Sequence, residues 1–328
     1  MKNLFLVLVL LSAVSQQISA QRTINFSGKI NNFDSSELVY LRLKDSTIPL
    51  EINTDGTFSV EQNIDQKTFF FSLSKISKNG KLEPQTPLIW SDKDSVFLEL
   101  DWINKSYQFK DSMPFQTTSE KLEGVNDNQQ IKLILNNPNT LPSLYFASKN
   151  KENISLSDLE KIMKSIDQEY KNTIYVKRIE SYLLAKKKTP LRKGDRIENF
   201  KLPNKDGELI SVVTDRNKPQ VIALFSSGCS YSIASIDLLK QLSELNTNKI
   251  EIVTIWDDET KETWRNSHQD QKSKISWTNL WDEFGYAATY LDRKLWPTFY
   301  IINENGELTQ ILEGYDKKTA RGLKKLVE

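Results

Sequence analysis

One stretch constrains this chain more than any other: Val221-Ile-Ala-Leu-Phe-Ser-Ser-Gly-Cys-Ser-Tyr-Ser232 and the residues after it. A short apolar run stops at Ser226-Ser-Gly228, a cysteine follows, and apolar residues then recur at Ile233, Ile236, Leu239 and Leu242. Five consecutive apolar residues ended by small ones predict a buried strand and a tight turn, and the later spacing predicts an amphipathic helix over 230–245. Cys229 therefore stands at a helix N-terminus, where unpaired backbone N–H groups and the helix dipole favour negative charge. It is the only cysteine in the chain, and Ser232 stands three residues on, one helical turn away.

With one cysteine no internal disulfide can form, so stability has to come from ordinary cores, and 328 residues are enough for two. A net charge of +1 gives no electrostatic reason to expect nucleic acid or anionic membranes as partners. The basic run 186–188 reads as a solvated helix C-terminus. Three Asn-x-Ser tripeptides, at Asn25, Asn104 and Asn153, are too short a pattern to carry weight. His268, the one histidine, lies in the polar stretch Arg265-Asn-Ser-His-Gln-Asp270 and is expected at the surface, where it supports neither a metal site nor a triad. No Gly-rich phosphate loop is present, and no cofactor is expected.

Residues 1–20 read as a secretory signal: Lys2 is followed by an apolar run from Leu4 to Leu11 and by Ser19-Ala20. The run is short for a membrane span, so an exported chain without a span after removal of the signal is expected. The oxidising compartment this implies is the periplasm or cell envelope of a bacterium.

Residues 21–113 read as a small all-β, sandwich-like domain. Ile24-Asn-Phe-Ser-Gly-Lys-Ile30 alternates, further short strands follow, and Thr54-Asp-Gly-Thr57 is a turn between 48–52 and 57–60. Residues 114–190 read as a helical connector. In it Ser157-Asp-Leu-Glu160 has the form of a capping box, and a further helix spans 173–188 with Ile179 and Leu183 inward. Residues 191–328 return to alternating strands and helices: a hairpin about Asp206-Gly207, strand 221–225, helix 230–245, strand 250–256, helix 260–269, a second hairpin about Asn305-Gly306, and helix 316–327.

Four features of this last region resemble the thioredoxin fold, and within it the exported TlpA/ResA-like branch. They are Phe200-x-Leu-Pro-x-x-Asp-Gly207, the strand entering Cys229, the helix after it, and Trp296-Pro297-Thr298 leading into a strand, Asn305-Gly306 and another strand. The resemblance extends, more faintly, over nearly all of the chain after residue 20. It implies an α/β thioredoxin-like C-terminal domain, a cis bond before Pro297 close to the thiol, and a peptide partner pairing with the exposed backbone of Trp296 like an added strand. Cys229 and Ser232 would then occupy the catalytic positions, and Tyr231, Trp296, Pro297 and Thr298 the substrate-binding ones.

The departures are specific. The family motif is Trp-Cys-x-x-Cys, and this chain has Gly228-Cys-Ser-Tyr-Ser232. In the other register, without a one-residue deletion in the turn, Ser230 and Ile233 take the two cysteine positions. With Cys229 as first cysteine, Ser232 cannot resolve a mixed disulfide, though its hydroxyl is suited to bond the sulfur or to cap the helix. The expected function is a monothiol thiol–disulfide protein acting on protein thiols or disulfides of the cell envelope. The alternative is a redox-inactive peptide-binding module. A third reading, a single-cysteine peroxidase, rests on Ser226-x-x-Cys229 and lacks the proline expected at Ile222.

Overall fold

The computed structural model describes residues 22–326 other than 34–36, 44–45, 65–68, 78–79, 215–217 and 246–249. The expected signal at 1–20 lies outside the described residues. The chain forms two compact units, one ending at Lys121 and the other beginning at Leu122.

Among its described residues the first unit holds nine strands: β1 (Arg22–Asn31), β2 (Val39–Leu43), β3 (Thr47–Leu50), β4 (Thr57–Ile64), β5 (Phe69–Ile76), β6 (Leu82–Pro84), β7 (Ile89–Ser91), β8 (Ser95–Asp101) and β9 (Tyr107–Phe109). They make two sheets, ordered β4-β1-β8-β9 and β3-β2-β5-β6, with β7 also paired to β5. Inward residues of both sheets share one core: Ile24, Phe26, Leu98 and Leu100 from one, Val39, Leu41, Phe71 and Leu73 from the other. Phe26 meets Phe69 and Phe71 edge-on across the gap, with ring centroids 5.6 and 5.1 Å apart.

The turn at 54–57 is present, with Gly56 at φ +83°. It does not join partners, however. β3 pairs with β2 and β4 pairs with β1, so the turn carries the chain from one sheet to the other. Gly28 is set by close approach: β1 runs between β4 and β8, and a Cβ there would lie 2.1 Å from the carbonyl oxygen of Leu98.

Helix α1 (Pro114–Glu123) spans the boundary between the units, and α2 (Asp127–Asn136), α3 (Leu141–Lys149), α4 (Leu156–Ser165) and α5 (Ile174–Lys186) belong to the second. The cap of α4 is Ser155, not Ser157: Ser155 Oγ accepts from the Asp158 amide at 3.1 Å and bonds the Asp158 carboxylate at 2.8 Å. The N-cap therefore sits two residues earlier than expected, with Ser155 bonded to both the amide and the carboxylate of Asp158, leaving Ser157 within the first turn. On α5, Ile179 and Leu183 are buried.

Beyond a short hairpin of β10 (Lys201–Pro203) and β11 (Leu209–Ser211) come β12 (Gln220–Phe225), α6 (Ser230–Leu245) and β13 (Glu251–Trp256). Next are α7 (Lys261–Asn266), α8 (Gln269–Lys272), β14 (Thr278–Trp281), α9 (Tyr286–Tyr290), β15 (Thr298–Ile302), β16 (Leu308–Glu313) and α10 (Lys317–Lys324). The five-stranded sheet runs β14-β13-β12-β15-β16, with β12, β13 and β14 parallel and β15 and β16 antiparallel. This is the βαβ–ββα arrangement of a thioredoxin-like fold.

β12 is buried along its whole length because the sheet is covered on both faces. Val221, Ala223 and Phe225 meet Ile236, Leu239 and Leu242 of α6, while Ile222 and Leu224 pack with Val212, Tyr290 and Tyr300 on the other face. The helix expected at 260–269 is two short ones, because His268 turns left-handed at φ 54° between them. That histidine is exposed.

Candidate functional site

β12 delivers the chain into the turn Ser226-Ser227-Gly228-Cys229, and α6 starts at the next residue. The Cys229 amide donates to Ser226 O at 3.1 Å, which closes the turn, and the Ile233 amide donates to Cys229 O at 3.2 Å, which starts the helix. Cys229 is half-buried, and its thiol lies 3.4 Å from the carbonyl oxygen of Trp296. The Trp296–Pro297 peptide bond is cis.

Cys229 and the Trp296–Pro297 segment are thus brought together, and the other expected residues distribute around them. Tyr231 is 61% exposed on the first turn of α6, free to meet a partner. Ser232 is fully buried, and its hydroxyl accepts a long hydrogen bond of 3.4 Å from the Ser226 amide. It therefore braces the turn from behind instead of capping α6 or bonding the sulfur. Thr298 is buried as well, its hydroxyl donating to Leu295 O at 2.7 Å. Its side chain shapes the loop and presents nothing to a partner. Ser226 Oγ accepts from the Gly228 amide at 3.2 Å and lies 3.5 Å from Asp258, which commits it to the turn.

Four charged residues that the sequence reading passed over complete the site. Asp258, 5% exposed at the end of β13, accepts from the Ser227 amide at 2.8 Å and from the Ser227 hydroxyl at 2.5 Å. The Lys272 ammonium donates to the same hydroxyl at 2.7 Å, bonds Trp264 O, lies over the Trp256 ring at 4.1 Å, and is 4.0 Å from the Asp258 carboxylate. Burial pulls the Lys272 amine down to about 8, and the negative charge of Asp258 opposes that pull.

On the other side, Asp257 faces Arg293, which lies against Trp296. Burial pushes the Asp257 carboxyl up to about 7, with the nearby charge of Asp282 adding to the push. Asp282 is itself raised to about 6 by burial, against hydrogen bonds from the backbone at the start of α9. Two aspartates directly after a strand that is buried from Ile252 to Trp256, Trp256-Asp257-Asp258, were the available signal, since carboxylates at a buried strand end need partners.

Among the described residues no group of histidine, cysteine and carboxylate side chains is placed to hold a metal ion, and no helix is long and apolar enough to cross a membrane. The arrangement offers one nucleophilic sulfur on a braced turn, facing a backbone carbonyl.

No protein-family model and no curated protein matches the chain. Several solved structures do. The thioredoxin domain of a thiol-disulfide oxidoreductase from Bacteroides vulgatus is 16% identical over 42% of this chain and 99% of its own, with a TM-score of 0.37. A thiol-disulfide oxidoreductase from Bacteroides fragilis is 23% identical over 40% of this chain and 99% of its own, at 0.34. StoA from Bacillus subtilis is 19% identical over 40% and 97%, also at 0.34. At these values the thioredoxin-like reading stands on strand order and connectivity, not on the likenesses.

Proposed function

We propose that this is an exported thiol–disulfide protein of monothiol type, acting in the bacterial cell envelope on protein thiols or disulfides through Cys229. The carrying observation is a single half-buried cysteine on the turn before α6, its sulfur 3.4 Å from Trp296 O, with a buried serine where a second thiol would stand. Exchange needs an accessible sulfur that attacks along a disulfide axis. The Cys229 thiolate attacks one sulfur of a partner disulfide, a new S–S bond forms, the old one breaks, and the leaving thiolate takes up a proton. An external thiol then attacks the mixed disulfide, takes over the partner's sulfur and returns Cys229 as a thiol. Ser232 supplies no electrons, so the protein alone cannot release a partner as a reduced dithiol.

The test is turnover. The natural protein reduces insulin disulfides no faster than the donor thiol alone. Ser232→Cys, one helical turn from Cys229 and behind the same turn, gains measurable turnover. Robust turnover by the natural protein refutes the monothiol reading. If Cys229 forms no mixed disulfide at all, the domain is the redox-inactive peptide-binding module.

A further inference from the structure

Trp296 provides the carbonyl opposite the sulfur, and its indole is held from the side by charge. The central carbon of the Arg293 guanidinium lies 4.0 Å from the centroid of the Trp296 ring. The same guanidinium places Nε 3.3 Å from Asp257 Oδ2, with the two side chains 19% and 21% exposed. The Nε–H is not aligned as a hydrogen bond, so the contact is one of charge. Among the described residues the indole N–H of Trp296 has no hydrogen-bond partner either, so the Arg293 stack is the polar contact on its ring. Asp257 is in turn fixed by its backbone: its amide donates to Phe225 O at 2.8 Å, at the end of the strand that delivers Cys229. A continuous path therefore runs from the end of β12, the strand that leads to Cys229, through Asp257 and Arg293 to Trp296, whose carbonyl oxygen lies against the sulfur.

We propose that Asp257 and Arg293 are positioning residues for the chemistry of Cys229: the pair clamps Trp296 so that its backbone stays opposite the thiol. The functional meaning rests on the thiol-exchange reading above, whereas the clamp is a physical linkage that can be observed alone. The charged groups facing Asp257 are Asp282 after β14, Arg293 after α9, Lys151 after α3 and Asp258 beside it. Burial and the two aspartates favour its neutral form, and Arg293 and Lys151 favour its charge, with a balance near 7. Above that pH the carboxylate holds Arg293 over the ring. Below it Arg293 loses its ionic partner and the hold on Trp296 weakens.

The test follows the Trp296 indole N–H resonance of the full chain through a pH titration, alongside the rate of Cys229 with 2,2′-dithiodipyridine, which reads thiols in acid and base. In the natural protein the resonance moves with a midpoint near 7, as Asp257 titrates. In Asp257→Asn the movement centred near 7 is lost, and only the smaller response of Asp282, which is raised to about 6 and also feels Arg293, remains. At about pH 9 the natural protein reacts about fivefold faster than Asp257→Asn, and at about pH 5 the two rates are equal. Arg293→Lys keeps the charge but not the planar stack, and loses both the resonance shift and the rate advantage. A Trp296 resonance that ignores pH in the natural protein overturns the clamp. So does a rate ratio that is the same at both ends of the range. If Cys229 fails to react with the disulfide while Trp296 still titrates, thiol exchange is refuted and the linkage stands.

Discussion

Removing the Asp258 carboxylate is the sharpest probe of how the turn before Cys229 is held. Asp258→Ala deletes the acceptor for both the amide and the hydroxyl of Ser227, at 2.8 and 2.5 Å. It also removes the one carboxylate that lies near the Lys272 ammonium, only 8% exposed, among the described residues. Each hydrogen bond to a charged group is worth about 1.5–3 kcal/mol, and an orphaned buried charge costs about 3–5 kcal/mol. These overlap, because the two losses share one carboxylate, so the net expected cost is about 4 kcal/mol for the second unit. Asp258→Asn keeps one oxygen for the Ser227 amide and costs about 2 kcal/mol. In Lys272→Met the buried Asp258 carboxylate is the charge already left unpaired, so adding Asp258→Ala there loses only the Ser227 hydrogen bonds and costs about 2 kcal/mol at most, a coupling of about 2 kcal/mol or more. The assay is urea unfolding followed by tryptophan fluorescence, since Trp256, Trp264, Trp277, Trp281 and Trp296 all report on this unit. A cost below about 1 kcal/mol for Asp258→Ala, or an equal cost with and without Lys272, refutes the reasoning.

Stability of the second unit should also depend on pH in the reverse of the usual carboxylate sense. Asp257 and Asp282 have folded values raised to about 7 and about 6 from 3.8, so the folded state binds the extra protons and the stability they contribute is lost as pH rises from about 4 to about 7. Urea midpoints across that range measure the slope, and Asp282→Asn should flatten it; a slope of opposite sign, unchanged in Asp282→Asn, contradicts the assignment. In the first unit, Gly28→Ala drives a Cβ to 2.1 Å from Leu98 O, a backbone atom that cannot swing aside. It should cost about 3 kcal/mol in thermal unfolding of that unit, and an unchanged melting temperature would show that β1 and β8 are not paired in this register.

Where the sequence carries a strong period, it foretells the element. The apolar run before Ser226, the i, i+3 spacing after Cys229, and Asn305-Gly306 between two alternating runs map onto β12, α6 and the β15–β16 hairpin. Where one chemical signal has two equivalent readings, the sequence does not decide. Ser155 and Ser157 both precede an acidic residue by three, and only the observed bonds choose Ser155. The break between α7 and α8 depends on a single left-handed residue, His268, which no periodicity announces.

The site divides the same way. Cys229 is legible because its neighbours in sequence build the local structure, whereas Trp296 is singled out by the resemblance alone. Asp257, Asp258, Lys272 and Arg293 are not legible, because their partners come from other elements and only the folded sheet brings them together. Ser232 and Thr298 take their expected roles from motif position and the resemblance, which do not announce burial: Ser232 lies on the α6 side that packs inward and Thr298 starts the fully buried β15.

The most direct measurement is the intact mass of the native protein after incubation with oxidised glutathione. If Cys229 is the exchanging sulfur, a single adduct of one glutathionyl group forms under native conditions, is removed by a small dithiol, and is absent in Cys229→Ser. A native protein that stays unmodified until it is unfolded contradicts thiol exchange and leaves Cys229 a packing residue.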